Sequence, residues 1–263
     1  MKKHFSTLAI GFVALTILSN SCTPERSDDP IPAVSTCRVS AIKDINDSTA
    51  LTYDAQNRVT KMAFFDEDGT PVEYETYTYS PGKITVQYFD DTQTPDGSEE
   101  YILNTNGTVN YIARSSSYGP NVRNDTLFHT YDSEGHNTQV KSKTVVAGPI
   151  MSTSYDFATF TYSNGNMIQS KNELADGEVY IVDYTYTTLV DKNHVFDGAF
   201  MIPGLYGTGS KNLVESGSND DATYSEDYIY EVNANGYVTR MKSTIVDVYG
   251  THTSDKKYTY FCY

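Results

Sequence analysis

The stretch LTYDAQNRVTKM, residues 51–62, decides the fold class. Apolar residues flank a short polar segment in which Asp54 and Asn57 stand three positions apart. Aspartate opens a turn by accepting hydrogen bonds from the backbone two residues ahead, and asparagine or glycine tolerates the positive φ that closes the turn. The stretch therefore predicts two antiparallel strands joined by a tight turn.

The same design recurs along the chain. LNTNGTVNYI (residues 103–112) and VNANGYVTRM (residues 232–241) repeat the polar opening residue, the turn glycine and the apolar residues that follow it. Looser copies are TYDSEGHNTQV (residues 130–140) and FTYSNGNMIQS (residues 160–170), and YTYSPGKITVQY (residues 77–88) turns on a Pro-Gly pair. The repeat predicts a succession of β-hairpins.

Tyrosines at every second position also indicate strands. Alternation places every second side chain on one face, and aromatic and β-branched residues favour strands. The triplets begin at Tyr77, Phe160, Tyr184, Tyr228 and Tyr258. Together with the turns they predict one all-β domain of antiparallel hairpins over residues 37–263, with about a dozen or more strands. An open rolled sheet, a sandwich and a barrel all satisfy this pattern.

Residues 187–213 break the alternation. They predict an irregular insertion, with a short helix from Leu189 to Phe200 followed by a glycine-rich loop. Such a long connection either carries function or caps one end of the sheet.

The start of the chain has the composition of a secretory signal. Lys2 and Lys3 precede LAIGFVALTIL (residues 8–18), an apolar run too short to span a bilayer. LSNSC then ends at Cys22 and resembles the relaxed lipobox of Bacteroidetes, in which the cysteine is released by cleavage and acylated. We therefore expect a signal peptide over residues 1–21 and lipidation of Cys22, with ordinary secretion as the alternative.

The residues after Cys22 predict a tether. Residues 22–36 are rich in proline and charge and lack apolar periodicity. Glu25, Asp28 and Asp29 resemble the export signal of Bacteroidetes surface lipoproteins. The expected location is the outer membrane, with the lipid-anchored domain on the cell surface; a periplasm-facing lipoprotein is the alternative.

The charge of the chain excludes one class of partner. The formal net charge is -15, and removal of residues 1–21 takes away two lysines and no acidic residue, which brings it to -17. Such a chain repels phosphate backbones, which argues against nucleic acid as a partner. It also lacks a basic stretch for anionic lipid, so the acyl chains are expected to hold it at the membrane.

Familiar catalytic and metal-binding patterns are incomplete. GLYGTGSK (residues 204–211) lacks the Lys-Ser/Thr ending of a phosphate-binding loop, and FDEDGTPVE (residues 65–73) lacks the distal glutamate of a calcium loop. His129, His136, His194 and His252 show no metal-ligand spacing and are expected on solvated loops. We expect no enzyme activity and no metal site.

Several features together resemble two known families. YDAQNRV and YDSEGHN are similar to the Tyr-Asp repeats of Rhs proteins, although the copies are too few to enclose a large shell. STCRVSAI, the hairpins, YGTGSKNLVES (residues 206–216) and KKYTYFCY resemble, in that order, a family of Bacteroidetes lipoproteins with a domain of unknown function. That resemblance implies haem or another porphyrin as a candidate ligand.

Tyrosine suits both sheet faces and binding surfaces. Because tyrosine or histidine can ligate haem iron, the candidate ligand-binding residues are Tyr184, Tyr186, His194 and Tyr206. The predicted function is a non-catalytic module that binds a porphyrin, glycan or protein ligand. A structural envelope protein without a small ligand and a glycan-binding or glycan-hydrolysing protein are the alternatives.

Two cysteines remain for the domain if Cys22 is acylated. Cys37 alternates in phase with Val39, and Cys262 with Tyr260, so each faces the apolar side of its strand. Export favours a disulfide between them, which requires the first and last strands to be neighbours. Two buried free thiols are the alternative.

Overall fold

The structure, a computed structural model, describes residues 37–118, 121–149, 151–192, 194, 201–220 and 222–262. The predicted signal peptide, Cys22 and the tether lie outside these residues. Within the described part of the chain, no helix is long and apolar enough to cross a membrane.

In the residues that the structure describes, sixteen antiparallel strands, each paired with its sequence neighbours, form the domain. They are β1 (Cys37–Lys43), β2 (Asp47–Tyr53), β3 (Val59–Asp66), β4 (Pro71–Ser80), β5 (Lys83–Phe89), β6 (Pro95–Leu103), β7 (Val109–Tyr118), β8 (Asn121–Tyr131), β9 (Asn137–Ala147), β10 (Ser152–Ser163), β11 (Asn166–Glu173), β12 (Val179–Val190), β13 (Asn212–Ser218), β14 (Ser225–Val232), β15 (Val238–Asp247) and β16 (Gly250–Cys262). Pairing of β1 with β16 closes the sheet into a barrel. The predicted all-β hairpin class is confirmed, and the barrel is the member of that class that forms.

The predicted turns join successive strands. Asp54 Oδ1 accepts hydrogen bonds from the backbone nitrogens of Gln56 and Arg58, both at 2.9 Å. Asn233 plays the same part between β14 and β15. Asn57 has a φ of 60°, and Gly236, its counterpart in the later copy, has a φ of 79°. The repeat in the sequence is therefore a repeat of turn chemistry.

The apolar residues that follow these turns form the core inside the barrel. Val59, Val109 and Val238 are each 0% exposed. Three positions later Met62, Ile112 and Met241 are also buried. The Tyr-x-Tyr pairs of β4, β14 and β16 pack against this core. In the pair of β12, Tyr186 lies opposite the buried Val214 of β13. The alternation of the sequence thus separates an inner from an outer face.

The hairpin connections divide the barrel into two ends. The end that we call the plug end holds the turns β2–β3, β4–β5, β6–β7, β8–β9, β10–β11 and β14–β15, the start of β1 and the β12–β13 connection. The end that we call the far end holds the remaining hairpin connections, among them β5–β6 and β7–β8.

A disulfide lies at the plug end. Cys37 and Cys262 occupy opposite positions in the β1–β16 ladder, with their Cα atoms 4.1 Å apart, and their sulfur atoms are bonded. The bond joins the two strands that close the barrel, 225 residues apart in sequence.

The predicted insertion is shorter than expected and differs in its first part. Thr187–Val190 continue strand β12, so the expected helix does not begin at Leu189. Asp191, Lys192 and His194 are not helical either, and residue 193 and residues 195–200 of that predicted helix lie outside the described residues. Cross-strand pairing with β13 holds the end of β12 extended, since Val190 pairs with Asn212.

Residues 201–211, which we call the plug, lie across the turns of the plug end. Three backbone hydrogen bonds of 2.8 Å join the plug to these turns. They run from Val109 N to Leu205 O, from Thr208 N to Gly135 O and from Lys211 N to Gly165 O. The apolar side chains of the plug point into the barrel and join its core; they are Met201, Ile202, Leu205 and Tyr206. The connection therefore caps one end of the barrel.

Gly207 allows the plug to approach the β8–β9 turn closely. Its φ is 86°, and a Cβ at this position would lie 2.2 Å from Gly135 O and 2.8 Å from the ring of Tyr131. A side chain here would push the plug off the turn.

Two histidines contradict the expectation of solvated loop positions. His136 is 4% exposed; its ring stacks on Tyr162, and its Nδ1 lies 3.1 Å from Asp132 Oδ2. His129 lies on β8 with its ring beside those of Tyr131 and Tyr206. Neighbouring aromatic rings bury the imidazole of His136 and half-bury that of His129, which no local sequence pattern could show.

The burial of His129 predicts a loss of stability in mild acid. Burial lowers the pKa of His129 to about 4, from 6.5 when exposed. Between these values the unfolded chain binds the extra proton, so the free energy of unfolding falls as the pH drops from about 6.5 to 4. Allowing for partial exposure, we expect His129 to account for about 2 kcal/mol of that loss.

Urea unfolding at pH 7, 5.5 and 4.5 measures this effect. A His129→Gln variant should lose about 2 kcal/mol less than the wild type across the window. His252→Gln is the control, because that side chain is exposed. Parallel pH profiles for His129→Gln and the wild type would contradict the assignment.

Candidate functional site

A row of charged side chains crosses the inside of the barrel on strands β6 to β9. Glu99 pairs with Arg114, Arg114 with Asp125, and Asp125 with Thr144. In an antiparallel sheet, directly opposed residues point to the same face. Their neighbours Ile112 and Val86 are buried, which places the row inside.

Asp125 is the centre of this row and is 6% exposed. Its carboxylate accepts from the Thr144 hydroxyl at 2.5 Å, from Arg123 Nε at 2.9 Å and from Arg114 Nε at 3.3 Å. Burial alone would raise the pKa of Asp125, but the Thr144 hydrogen bond and the two guanidinium groups outweigh burial and hold the pKa below its ordinary value. The carboxylate is therefore ionised, and both of its oxygens accept hydrogen bonds.

Glu99 anchors the other side of Arg114. Its Oε1 lies 3.4 Å from Arg114 Nη1, and its Oε2 accepts from the Tyr101 hydroxyl at 3.0 Å. Tyr88 also bonds to Glu99, and burial, followed by the nearby carboxylates, raises the pKa of Tyr88. Both tyrosines thus stay neutral hydrogen-bond donors.

The arginines border a cavity of about 330 Å³ at the far end. Their side chains are 47% and 53% exposed, for Arg114 and Arg123 respectively, whereas that of Asp125 is 7% exposed. The carboxylates therefore lie behind the guanidinium groups. We call this site the arginine notch and define it by Tyr88, Glu99, Arg114, Ser116, Arg123 and Asp125.

The notch lies where two strands part. The described ladder between β6 and β7 ends at the pair Ser98 and Ser115. Beyond it, Gly97 pairs with Tyr88 of β5, and Ser116 pairs with Arg123 of β8. The gap between β6 and β7 gives the cavity an opening at the rim of the barrel.

This arrangement suits binding better than acid–base chemistry. A general acid or base needs a carboxyl group free to exchange a proton with the substrate. Asp125 and Glu99 instead accept hydrogen bonds from arginine and hydroxyl donors. Arg114 and Arg123 line the cavity with permanently charged guanidinium donors.

The four candidate ligand residues from the sequence lie on β12, in the connection that follows it and in the plug. The Tyr186 hydroxyl donates to Met167 O at 2.6 Å, and the Tyr184 hydroxyl lies 3.3 Å from Ser170 Oγ, so both contact β11. Tyr206 belongs to the plug and packs against His129. His194 lies in the connection between β12 and the plug, with a φ of 53°.

These contacts give a porphyrin little support. A tyrosine that ligates iron is deprotonated, whereas burial raises the pKa of both Tyr184 and Tyr206. Within the described residues, apolar side chains of the plug pack into the interior at the plug end. The porphyrin prediction is tested by a haemin titration read at the Soret band.

Sequence reasoning missed the arginine notch. Glu99, Arg114 and Asp125 lie in separate strands, and ordinary alternation gives them no local signature. The available hint was a charged residue in phase with apolar ones: Arg114 with Ile112, and Asp125 with Leu127. A charge on an inward position indicates a buried ion pair or a site.

Comparisons with known proteins identify fold relatives. The chain is similar to a porin-like protein from Bacteroides uniformis ATCC 8492, with 14% identity and a TM-score of 0.63, over 85% of this chain and 96% of that one. It is also similar to a porin-like protein from Bacteroides vulgatus ATCC 8482, with 11% identity and a TM-score of 0.57, over 86% and 99%. At these identities the likeness concerns the fold alone. No family model and no curated protein matches the chain.

Proposed function

We propose that this protein is a lipid-anchored, cell-surface binding module whose barrel holds a ligand without catalysing a reaction. The main observation that supports this proposal is the plug. Its apolar side chains pack against the core at one end of the barrel, and its backbone is hydrogen-bonded to three hairpin turns. A barrel of 16 strands is wide enough for an aqueous channel, and a channel needs a continuous lumen. The plug interrupts that lumen, so we propose that this barrel holds a ligand rather than conducts solutes.

The polar outer surface of the barrel supports a domain that is surrounded by water rather than by lipid. Lys61 and Gln87 adjoin the buried Met62 and Val86, so alternation places them outside. They belong to one cross-strand row of outward residues: Thr52, Lys61, Thr76, Gln87, Ser98, Ser115 and Asn124. A membrane-spanning barrel instead presents an apolar band about 25 Å tall.

The opposite wall also carries charged residues, although the exposed Ile229 lies beside Lys242 there. Lys242 pairs with Asp255, and Arg240 bonds to both Asp255 and Glu231 on the outer face of β14 to β16. An arginine or lysine in the middle of a lipid-facing wall costs about 2–4 kcal/mol, and an aspartate or glutamate costs less. The porin-like neighbours are consistent with a membrane-associated barrel, and we propose that this one is held at the membrane by its lipid.

Exchange of the leader tests this proposal. We expect the wild-type chain to sediment with membranes and to incorporate labelled palmitate, and Cys22→Ala to lose the label. A chain whose residues 1–22 are replaced by a cleavable secretory leader should move to the soluble fraction, because the polar wall needs no lipid. Retention of that chain in carbonate-washed membranes would mean that the barrel itself spans the bilayer.

Two further measurements complete the test. Protease treatment of whole cells should cleave the chain if it is on the cell surface, and full protection would place it in the periplasm. The purified wild-type chain added to a planar lipid bilayer should give no stepwise conductance. Reproducible steps would show a channel and overturn the binding-module proposal.

A further inference from the structure

The arginine notch holds hydrogen-bond donors that the protein does not use. Among the described residues, Arg123 bonds to Asp125 through Nε alone, and Arg114 uses Nε and Nη1. Each guanidinium group has five N–H donors. Both Nη groups of Arg123 and the Nη2 group of Arg114 are therefore left to a ligand.

The two guanidinium groups are neighbours held in fixed positions. Both Nε atoms lie within 3.3 Å of the same Asp125 oxygen. A hydrogen bond from the Thr144 hydroxyl of β9 fixes the carboxylate of Asp125 in turn. A ligand that binds here meets donors that are already oriented, so less conformational entropy is lost on binding.

We propose that the arginine notch binds the carboxylate or phosphate group of a small ligand through the Nη groups of Arg114 and Arg123. The inference names the ligand class of the binding module and so rests on the proposed function. A planar guanidinium group matches the geometry of these oxyanions with two parallel hydrogen bonds. Ser116 lines the same cavity and adds a hydroxyl donor.

The cavity also limits what else the ligand carries. Its volume of about 330 Å³ suits a small molecule. Asp96 lies on its border and would repel a second anionic group. A single oxyanion with hydroxyl groups beside it, as in an acidic sugar, fits this charge pattern.

Calorimetric titration of the full chain tests the inference. The chain, expressed with its own N-terminal segment and purified in a non-ionic detergent, is titrated with glucuronate, inorganic phosphate and glucose. We expect saturable binding of glucuronate or phosphate at one site per chain and none of glucose. The two oxyanion probes separate a carboxylate ligand from a phosphate ligand.

Three variants locate the binding. Arg123→Gln should weaken the affinity at least tenfold. Arg123→Lys keeps the charge beside Asp125 but loses the planar pair of donors, so we expect affinity at least threefold weaker than the wild type. Arg240→Gln is the control: Arg240 is also paired with two carboxylates, but on the outer wall, and its loss should leave the affinity unchanged.

Two results would overturn the inference. One is the absence of saturable binding of both oxyanion probes to the wild type. The other is wild-type affinity in Arg123→Lys, which is the decisive variant if Arg123→Gln fails to fold. Neither result would change the outcome of the membrane and conductance measurements. The binding-module proposal is therefore tested separately from this inference.

Discussion

Removal of the disulfide should lower the free energy of unfolding by about 5 kcal/mol. In a Cys37→Ser/Cys262→Ser chain, the unfolded state regains the freedom of a loop that spans 225 residues. The native ladder between β1 and β16 supplies six residue pairs without the bond, so the barrel is expected to close but to open more easily. Equilibrium unfolding in urea measures the loss.

Reduction provides the matched control. A reductant should destabilise the wild type by the same amount and leave the double serine variant unchanged. A difference below about 1 kcal/mol between the two chains would show that the cross-link contributes little. Two free thiols in the unfolded, unreduced chain, counted apart from any unmodified Cys22, would show that the bond does not form.

Placing a charge in the plug should be nearly as costly. Leu205 is 5% exposed and packs against Ile84, Val109 and Ile112. Leu205→Asp removes this apolar contact and buries a carboxylate without a partner, unless the plug leaves the barrel. We expect the free energy of unfolding to fall by about 4 kcal/mol.

Release of the plug can be told apart from global unfolding. Under native conditions, trypsin should cut after Lys211 much faster in Leu205→Asp than in the wild type, while the far-ultraviolet spectrum keeps its strand signature. Leu174→Asp is the control, since Leu174 is 38% exposed and lies in the β11–β12 connection at the far end. Equal stability and equal cleavage in the two variants would contradict the role of the plug.

The hairpins were predictable because their causes are local. Asp54 and Asn57 set their turn through hydrogen bonds and backbone angles within five residues. Val59 and Met62 then fall inside because side chains alternate along a strand. Each later copy of the repeat carries the same information, so the class of fold follows from the sequence.

Closure of the barrel was not predictable, because it depends on a pairing between the two ends of the domain. A sandwich or an open sheet has the same hairpins and the same alternation. Cys37 and Cys262 pointed to neighbouring terminal strands only on the assumption that they were bonded. The pairing of β1 with β16 is set by the number and twist of all the strands between them.

The arginine notch depended on tertiary structure in the same way. Turn chemistry and alternation, both local, determined from the sequence that hairpins form and which side chains face inward. Only the register across β6 to β9 brought Glu99, Arg114 and Asp125 into one row, and only the parting of β6 from β7 opened a cavity beside them. A shift of one residue would turn Arg114 outward, because neighbouring residues face opposite sides of a strand. The tertiary pairing, rather than any motif, therefore made the site.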